Sequence, residues 1–160
     1  MDKFMLCPQL SGYSFLYGQN ILEQSLTAGM PRQRLNFIGA VHQVTVSVFC
    51  TNADEIDYFW AFWRVKQRNP ENWLWSLKTD SSKLEEHECR FMMGSLPQES
   101  DRQGDMVKYS FNIWVKPLNR PPSVDEDIIA AWQAGLNPAV MNRFEILANE
   151  AAPDALEPFL

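Results

Sequence analysis

Two segments of the chain alternate strictly between apolar and polar side chains, and this alternation restricts the fold more than any other feature of the sequence. The apolar positions are Val44, Val46, Val48 and Cys50 within residues 41–50, and Val107, Tyr109, Phe111, Ile113 and Val115 within residues 107–115. An apolar residue at every second position places one face of a strand on a core and the other toward solvent. We therefore predict two half-buried strands whose apolar faces form the core.

Shorter runs indicate additional strands. Segments 13–17 and 21–26 are strand-like and flank turn residues 18–20, which predicts a hairpin. Residues 73–77 predict a short aromatic strand, residues 84–96 a longer one, and residues 101–105 a polar turn. Because the strands dominate and adjoin in sequence, the predicted fold is mainly β: an antiparallel β-sandwich or split barrel with one packed α-helix and a helical C-terminal arm.

The packed helix is predicted over residues 52–69. Asn52 and Glu55 have the spacing of a capping box, in which each side chain satisfies a backbone amide of the first turn. Acidic residues occupy the first turns and basic residues the last turns, as the helix dipole favours. Asn69-Pro70 then ends the helix.

This helix has more apolar surface than one core-facing stripe requires. The stripe itself comprises Ile56, Phe59, Trp60 and Trp63, at i, i+3, i+4 and i+7. Tyr58, Phe62 and Val65 lie off the stripe. Two interpretations stay open: the helix lies between two layers and buries both sides, or its second face contacts another subunit, since aromatic residues are enriched at interfaces.

The C-terminal quarter differs from the rest in charge. Residues 1–120 contain 13 basic and 13 acidic residues, whereas residues 121–160 contain seven acidic residues and one basic residue, which accounts for the whole net charge of −6. Such an asymmetry indicates an interaction segment and disfavours nucleic-acid binding, which needs a basic face. We therefore divide the chain into a β-rich body, residues 1–120, and an acidic C-terminal arm, residues 121–160.

The arm begins at Pro121-Pro122 and contains two predicted helices. A second capping box, residues 123–126, opens a helix that ends at Gly135, and a shorter helix starts at Asn137-Pro138 before an extended tail. Apolar residues at helical spacing need a surface to bury them. We expect the arm to dock on a neighbouring chain; the alternative is that it folds back on its own sheet. The apolar candidates for this contact are Ile128, Ile129, Trp132, Leu136 and Phe159.

Arg32 and Arg34 lie before the main strand and are either solvated or part of an inter-subunit salt bridge. The acidic arm of a neighbouring copy would be a suitable target for such a bridge. With Tyr58, Phe62 and Val65 they complete the set of interface candidates.

Composition excludes several classes of protein. No apolar run approaches the roughly 20 residues that span a bilayer, and the N-terminus lacks the features of a signal peptide. We therefore expect that the chain does not associate with a membrane and that it assembles in a cytoplasm. The three cysteines, without a CxxC spacing, disfavour a disulfide framework and a zinc ribbon. His87 and Cys89 share a strand face, but they lack the additional ligands of a zinc site, and we predict no metal or cofactor.

Two further functions are considered. Six Trp residues make a carbohydrate-binding or receptor-recognition module an alternative, with Trp73 and Trp75 exposed together on one strand face. An enzyme is disfavoured, because no nucleophile or phosphate-binding motif is present, and Glu86 and Glu88 fit a solvated strand face that pairs with Lys108 or Lys116.

Several segments together resemble small β-rich structural proteins of tailed bacteriophages, encoded among tail and neck genes. They are residues 29–35 (GMPRQRL), 59–63 (FWAFW), 73–77 (WLWSL), 89–95 (CRFMMGS) and 107–115 (VKYSFNIWV). The resemblance covers roughly residues 29–118, and the C-terminal arm lies outside it. It implies a non-enzymatic virion subunit that forms a ring or layer with copies of itself and other virion structural proteins, as a homo-oligomer assembled in the host bacterial cytoplasm.

Overall fold

A computed structural model describes residues 1–135 of the chain, which form two units: Met1–Leu118, and a second that begins at Asn119. Leu136, Phe159 and the predicted second helix and tail of the arm lie outside the described residues. The elements are β1 (Pro8–Leu16), β2 (Ile21–Gln24), β3 (Arg32–Leu35), β4 (His42–Cys50), α1 (Ala53–Arg68), β5 (Trp73–Leu77), β6 (Glu85–Phe91), β7 (Gln98–Gln103), β8 (Met106–Val115) and α2 (Pro122–Gln133).

Six strands form one antiparallel sheet in the first unit. The order is β1-β4-β8-β6-β5, and the long strands β4 and β8 pair along their whole length, from His42 opposite Val115 to Cys50 opposite Val107. The other edge of β8 is shared, because β6 pairs with its C-terminal end and β7 with its N-terminal end. Strands β2 and β3 form a separate two-stranded sheet.

Helix α1 covers one face of this sheet. Phe59 is buried and stacks on Tyr109 of β8, with 4.6 Å between the ring centroids, and Trp60 donates its indole N–H to the Tyr109 hydroxyl at 3.1 Å. Phe4, from the N-terminal segment, fills the space between α1 and β5 and contacts the Trp73 and Trp75 rings. The mainly β antiparallel fold with one packed helix is thus confirmed.

The predicted alternation is also confirmed in detail. The side chains on the inner face of β4 and β8 are all buried: Val44, Val46, Val48 and Cys50, with Val107, Tyr109, Phe111, Ile113 and Val115. The outer face of these strands has mostly polar side chains, such as the half-buried Thr45 and Asn112, together with Phe49, Met106 and Trp114. The core therefore lies between this sheet face and α1.

The hairpin predicted over residues 13–26 was wrong. Residues 13–17 belong largely to β1, which pairs with β4, whereas β2 pairs with β3 across a longer connection, residues 25–31. Hydrophobic patterning identifies strands but not their partners. Here the nine-residue strand β4 offers β1 a longer edge for backbone pairing than the four-residue strand β2.

Three other local predictions also need correction. The strand predicted over residues 84–96 ends at Phe91, and the predicted polar turn at residues 101–105 is partly β7, with the turn itself confined to Gly104-Asp105. In α2, Pro121 is the N-cap residue and no side chain caps the helix, so the capping box at residues 123–126 does not form. Proline at the start of the helix sets the N-cap at Pro121, two residues before the predicted N-cap Ser123.

The capping at the N-terminus of α1 is closer to what the sequence predicted. The Asn52 side chain accepts a hydrogen bond from the Glu55 amide at 2.9 Å, as an N-cap should. The Glu55 carboxylate, however, binds the backbone and hydroxyl of Thr51 rather than the Asn52 amide. Within the described residues, no helix has the length and apolar character needed to cross a membrane.

Candidate interaction surface

A two-stranded hairpin interrupts the chain between β1 and β4, and most of its residues are exposed. We call residues 17–41 the exposed hairpin. Strands β2 and β3 pair only with each other among the described strands, with Ile21 opposite Leu35 and Leu22 opposite Arg34. Between residues 21 and 39, every residue except the half-buried Leu22 is exposed.

Large apolar side chains are concentrated on this exposed hairpin. Those accessible to solvent are Tyr17, Ile21, Leu26, Met30, Leu35, Phe37, Ile38 and Val41, with Met30 91% and Ile38 83% exposed. An isolated two-stranded hairpin is at best marginally stable in water, and contiguous exposed apolar surface is typical of a protein contact. This segment therefore has the composition of a binding element rather than of a solvated loop.

The base of the exposed hairpin is held to β4 by specific hydrogen bonds. The Gly18 amide donates to His42 Nδ1 at 2.9 Å, and Gly18 lies so close to the segment before β4 that an added Cβ would clash with the backbone of Ala40 and Val41. Asn20 accepts bonds from the Asn36 and Phe37 amides through its carbonyl, and from the Ala40 amide through its side chain. The base is consequently fixed while the strands beyond it stay exposed.

His42 is the titratable group of this anchor. It is 1% exposed, and burial lowers its pKa from the usual 6.5, opposed by the charge of Asp80 and assisted by His87. Because Nδ1 accepts the Gly18 amide, the neutral tautomer has its proton on Nε2, and protonation would remove that acceptor. The anchor is therefore intact only while His42 is neutral.

We expect this anchor to make stability depend on pH. A lowered native pKa means that the unfolded chain binds the His42 proton more readily, so the stabilisation is complete above pH 6.5 and is lost as the pH falls below it. The slope is at most about 1.4 kcal/mol per pH unit for one proton. Urea unfolding at several pH values should show a smaller slope in His42→Gln than in wild type; equal slopes would contradict the assignment.

Arg32 and Arg34 share one face of the exposed hairpin. Both are exposed, and neither forms an ion pair with any described residue. The single acidic residue of the hairpin, Glu23, lies on the opposite face and accepts a hydrogen bond from Gln33 at 2.6 Å. Two guanidinium groups are thus available to an external partner.

The three α1 candidates have different environments. Tyr58 and Phe62 are half-buried and pack on Phe4 of the same chain, with ring centroids 5.9 and 4.9 Å apart respectively. The Tyr58 hydroxyl also accepts the Met5 amide at 3.1 Å. Val65 is 44% exposed. The N-terminal segment thus covers part of the second apolar face of the helix, and Val65 remains at the surface.

Helix α2 presents the remaining described candidates to solvent. Ile128, Ile129 and Trp132 are each more than half exposed, and the helix has no buried residue. The sequence indicated the two arginines as candidates but not the apolar side chains around them, because the apolar residues of segment 17–41 do not recur at a regular spacing.

The expected tryptophan platform does not form. Trp73 and Trp75 are buried beneath Phe4 and α1, because their strand face is the core face. On the outer face, Trp114 is 38% exposed in a cleft of about 330 Å³. The cleft is also lined by Val41, Asn72, Glu88, Cys89, Arg90 and Lys116.

The polar side chains of this cleft are joined in a network. Arg90 donates to Asn72 at 2.9 Å, and Lys116 donates to Glu88 at 3.2 Å, the cross-strand pairing that the sequence predicted. The hydrogen bond from Lys116 lowers the pKa of Glu88, so this carboxyl group is ionised at neutral pH. It is therefore suited to accepting hydrogen bonds, not to donating a proton.

The buried thiols are poorly suited to chemistry. Burial raises the pKa of Cys50 to about 11 and raises that of Cys89 further, so both are protonated thiols at neutral pH rather than nucleophiles. Within residues 1–135, no three His, Cys, Asp or Glu side chains are grouped as metal ligands. No family model, curated protein or solved structure matches the chain, so its function has to be inferred from these surfaces.

Proposed function

We propose that this chain is a non-enzymatic structural subunit of a bacteriophage virion, in the tail or neck, and that it assembles into a ring or layer through protein–protein contacts. The observation that supports it best is the exposed hairpin, whose apolar side chains have no partner surface within the described residues. The sequence resemblance to phage tail and neck proteins supplies the biological setting. Copies of the chain and other virion structural proteins are the proposed partners.

The shape of the first unit is compatible with such a role. A sheet closed on one side by α1 is a rigid support, and the His42 anchor fixes the base of the exposed hairpin upon it. A rigid support lowers the entropic cost of ordering a contact element on assembly.

Self-association should depend on the apolar residues of the exposed hairpin. Native mass spectrometry and sedimentation of the purified chain are expected to show an oligomer, and Phe37→Ser with Ile38→Ser should weaken association by roughly tenfold or more. Leu84→Ser with Leu96→Ser is the matched control, since those two leucines are equally exposed elsewhere. Equal losses in both double variants, or a monomeric wild type, would contradict the role of this surface.

The virion assignment has a separate test. Peptides of this chain should be found by mass spectrometry in purified, nuclease-treated phage particles at a stoichiometry of several copies per particle. Their absence from particles of the phage that encodes the chain would reject the proposal.

A carbohydrate-binding or receptor-recognition module remains the second candidate, now centred on Trp114 rather than on Trp73 and Trp75. The half-exposed indole beside an Asn, Arg and carboxylate network is an arrangement that can stack on a sugar ring and bond its hydroxyl groups. Glycan binding that is lost in Trp114→Ala would favour this second candidate over assembly.

A further inference from the structure

Helix α2 is too short and too exposed to be stable by itself. It has only 12 residues and no buried side chain, and isolated helices of that length are marginal in water. Val124, Ile128 and Trp132, at successive i, i+4 positions, form an apolar stripe that is about half exposed along its length. A helix with this composition is typical of one that is stabilised by burying its stripe on a partner.

The charge of α2 is entirely negative. Asp125, Glu126 and Asp127 are its only charged residues, and none of them forms an ion pair with a described residue. Asp125 is three residues before Ile128 and Asp127 is three residues after Val124, so both carboxylates lie beside the apolar stripe. The surface that covers this stripe should therefore combine apolar side chains with positive charge.

The exposed hairpin has that combination. Its two basic residues and one acidic residue give a net charge of +1, and Arg32 and Arg34 project from the face that has no acid. Leu22, opposite Arg34, is half-buried and adds apolar area to that same face, and the exposed side chains of Phe37 and Ile38 lie just after the end of β3. Each element is marginal by itself, and each exposes the charge that the other lacks.

We propose that the exposed hairpin of one copy binds α2 of a neighbouring copy, with Arg32 and Arg34 paired to the carboxylates of Asp125 and Asp127. This inference rests on the proposed self-assembly and names the two surfaces that perform it. The contact joins two different surfaces, so it is heterologous, and repetition of it generates a closed ring or an open filament rather than a two-fold dimer. Guanidinium–carboxylate pairs at its edge would set the orientation of the two elements.

Charge reversal tests the pairing without removing any apolar contact. One variant reverses the hairpin (Arg32→Glu with Arg34→Glu) and a second reverses the helix (Asp125→Lys with Asp127→Lys). Each alone brings like charges together, and we expect self-association to weaken roughly 100-fold in each. Arg64→Glu with Arg68→Glu on α1 is the control for a matched change in net charge, and it should assemble as wild type does.

Mixing the two reversed variants distinguishes a contact between copies from any other explanation. In an equimolar mixture, the acidic hairpin of the first variant faces the basic helix of the second, and the remaining pair has the wild-type charges. Mixed assemblies of alternating composition should therefore form, and native mass spectrometry would identify them by their masses. Circular dichroism of each variant confirms that it is folded before mixing.

Three outcomes would overturn the inference. If wild type assembles and both reversed variants assemble equally well, another surface mediates assembly and the proposed function stands without this contact. If both variants are monomeric and the mixture also stays monomeric, the two surfaces do not pair between copies. If wild type itself is monomeric at high concentration, the inference and the proposed self-assembly both fail.

Discussion

Replacing Val46 by aspartate is expected to unfold the β-rich body. Val46 is 1% exposed at the centre of β4, opposite Phe111 and on the face that α1 covers. An uncompensated buried charge costs about 3–5 kcal/mol, and the lost burial of valine adds about 1.5–3 kcal/mol. Together these approach or exceed the whole stability of many domains, about 5–15 kcal/mol.

Thr45→Asp is the matched control for this substitution. Thr45 is the preceding residue of the same strand, half-buried on the outer face opposite Asn112. The carboxylate that this substitution introduces would remain hydrated. The loss of unfolding free energy should therefore be limited to the lower strand preference of aspartate, about 1 kcal/mol. Urea unfolding and one-dimensional NMR measure both variants. A cooperatively folded Val46→Asp protein with near wild-type stability would show that β4 does not face the core as described.

Residues 41–50 and 107–115 could be placed from sequence because each has one fully apolar face. A single slip of register would move all of Val44, Val46 and Val48 to the outer face, so the pattern specifies both the strand and its orientation. The aromatic run of residues 73–77 also predicted β5, but it did not show which face of this strand is buried. Trp73 and Trp75 lie on the core face because Phe4 and α1 cover them, and neither cover is adjacent to them in sequence.

Local sequence patterns did not identify which strands pair with one another. The partner of β1 is β4, which follows it only after the exposed hairpin, and nothing within residues 8–16 identifies that partner. Strand β7 (QESDRQ) has no apolar residue at all, and it is a strand because the edge of β8 beyond β6 is available to pair with it. Its side chains are all exposed, so burial cannot mark it in the sequence.

The candidate surface was predicted only in part. Arg32 and Arg34 stand out as charges without a neighbouring acid, and the α2 stripe stands out by its helical period. The apolar residues of the exposed hairpin have neither period 2 nor period 3.6, and they matter because the structure leaves them uncovered. Exposure of this kind depends on tertiary packing, which explains why a surface for protein contacts is harder to infer from sequence than a core strand.

Removing the C-terminal arm should separate folding from assembly. Among the described residues, the buried apolar core extends from Phe4 to Val115, and the first unit ends at Leu118. A chain that ends at Arg120 therefore retains every strand and α1, and we expect its unfolding free energy to change by no more than about 1 kcal/mol. It lacks α2, so we expect it to be monomeric at concentrations at which the full chain is assembled.

A chain that ends at Gly135 is the control, because it keeps α2 with its apolar stripe and its three carboxylates. If the contact between the exposed hairpin and α2 is sufficient, the chain that ends at Gly135 should assemble. The chain that ends at Arg120 keeps its exposed hairpin, so this hairpin should bind α2 of the chain that ends at Gly135. Sedimentation and native mass spectrometry measure the assembly of both truncated chains against that of the full-length protein. A truncation at Arg120 that unfolds would place the arm in the core, and one that assembles normally would assign assembly to the body alone.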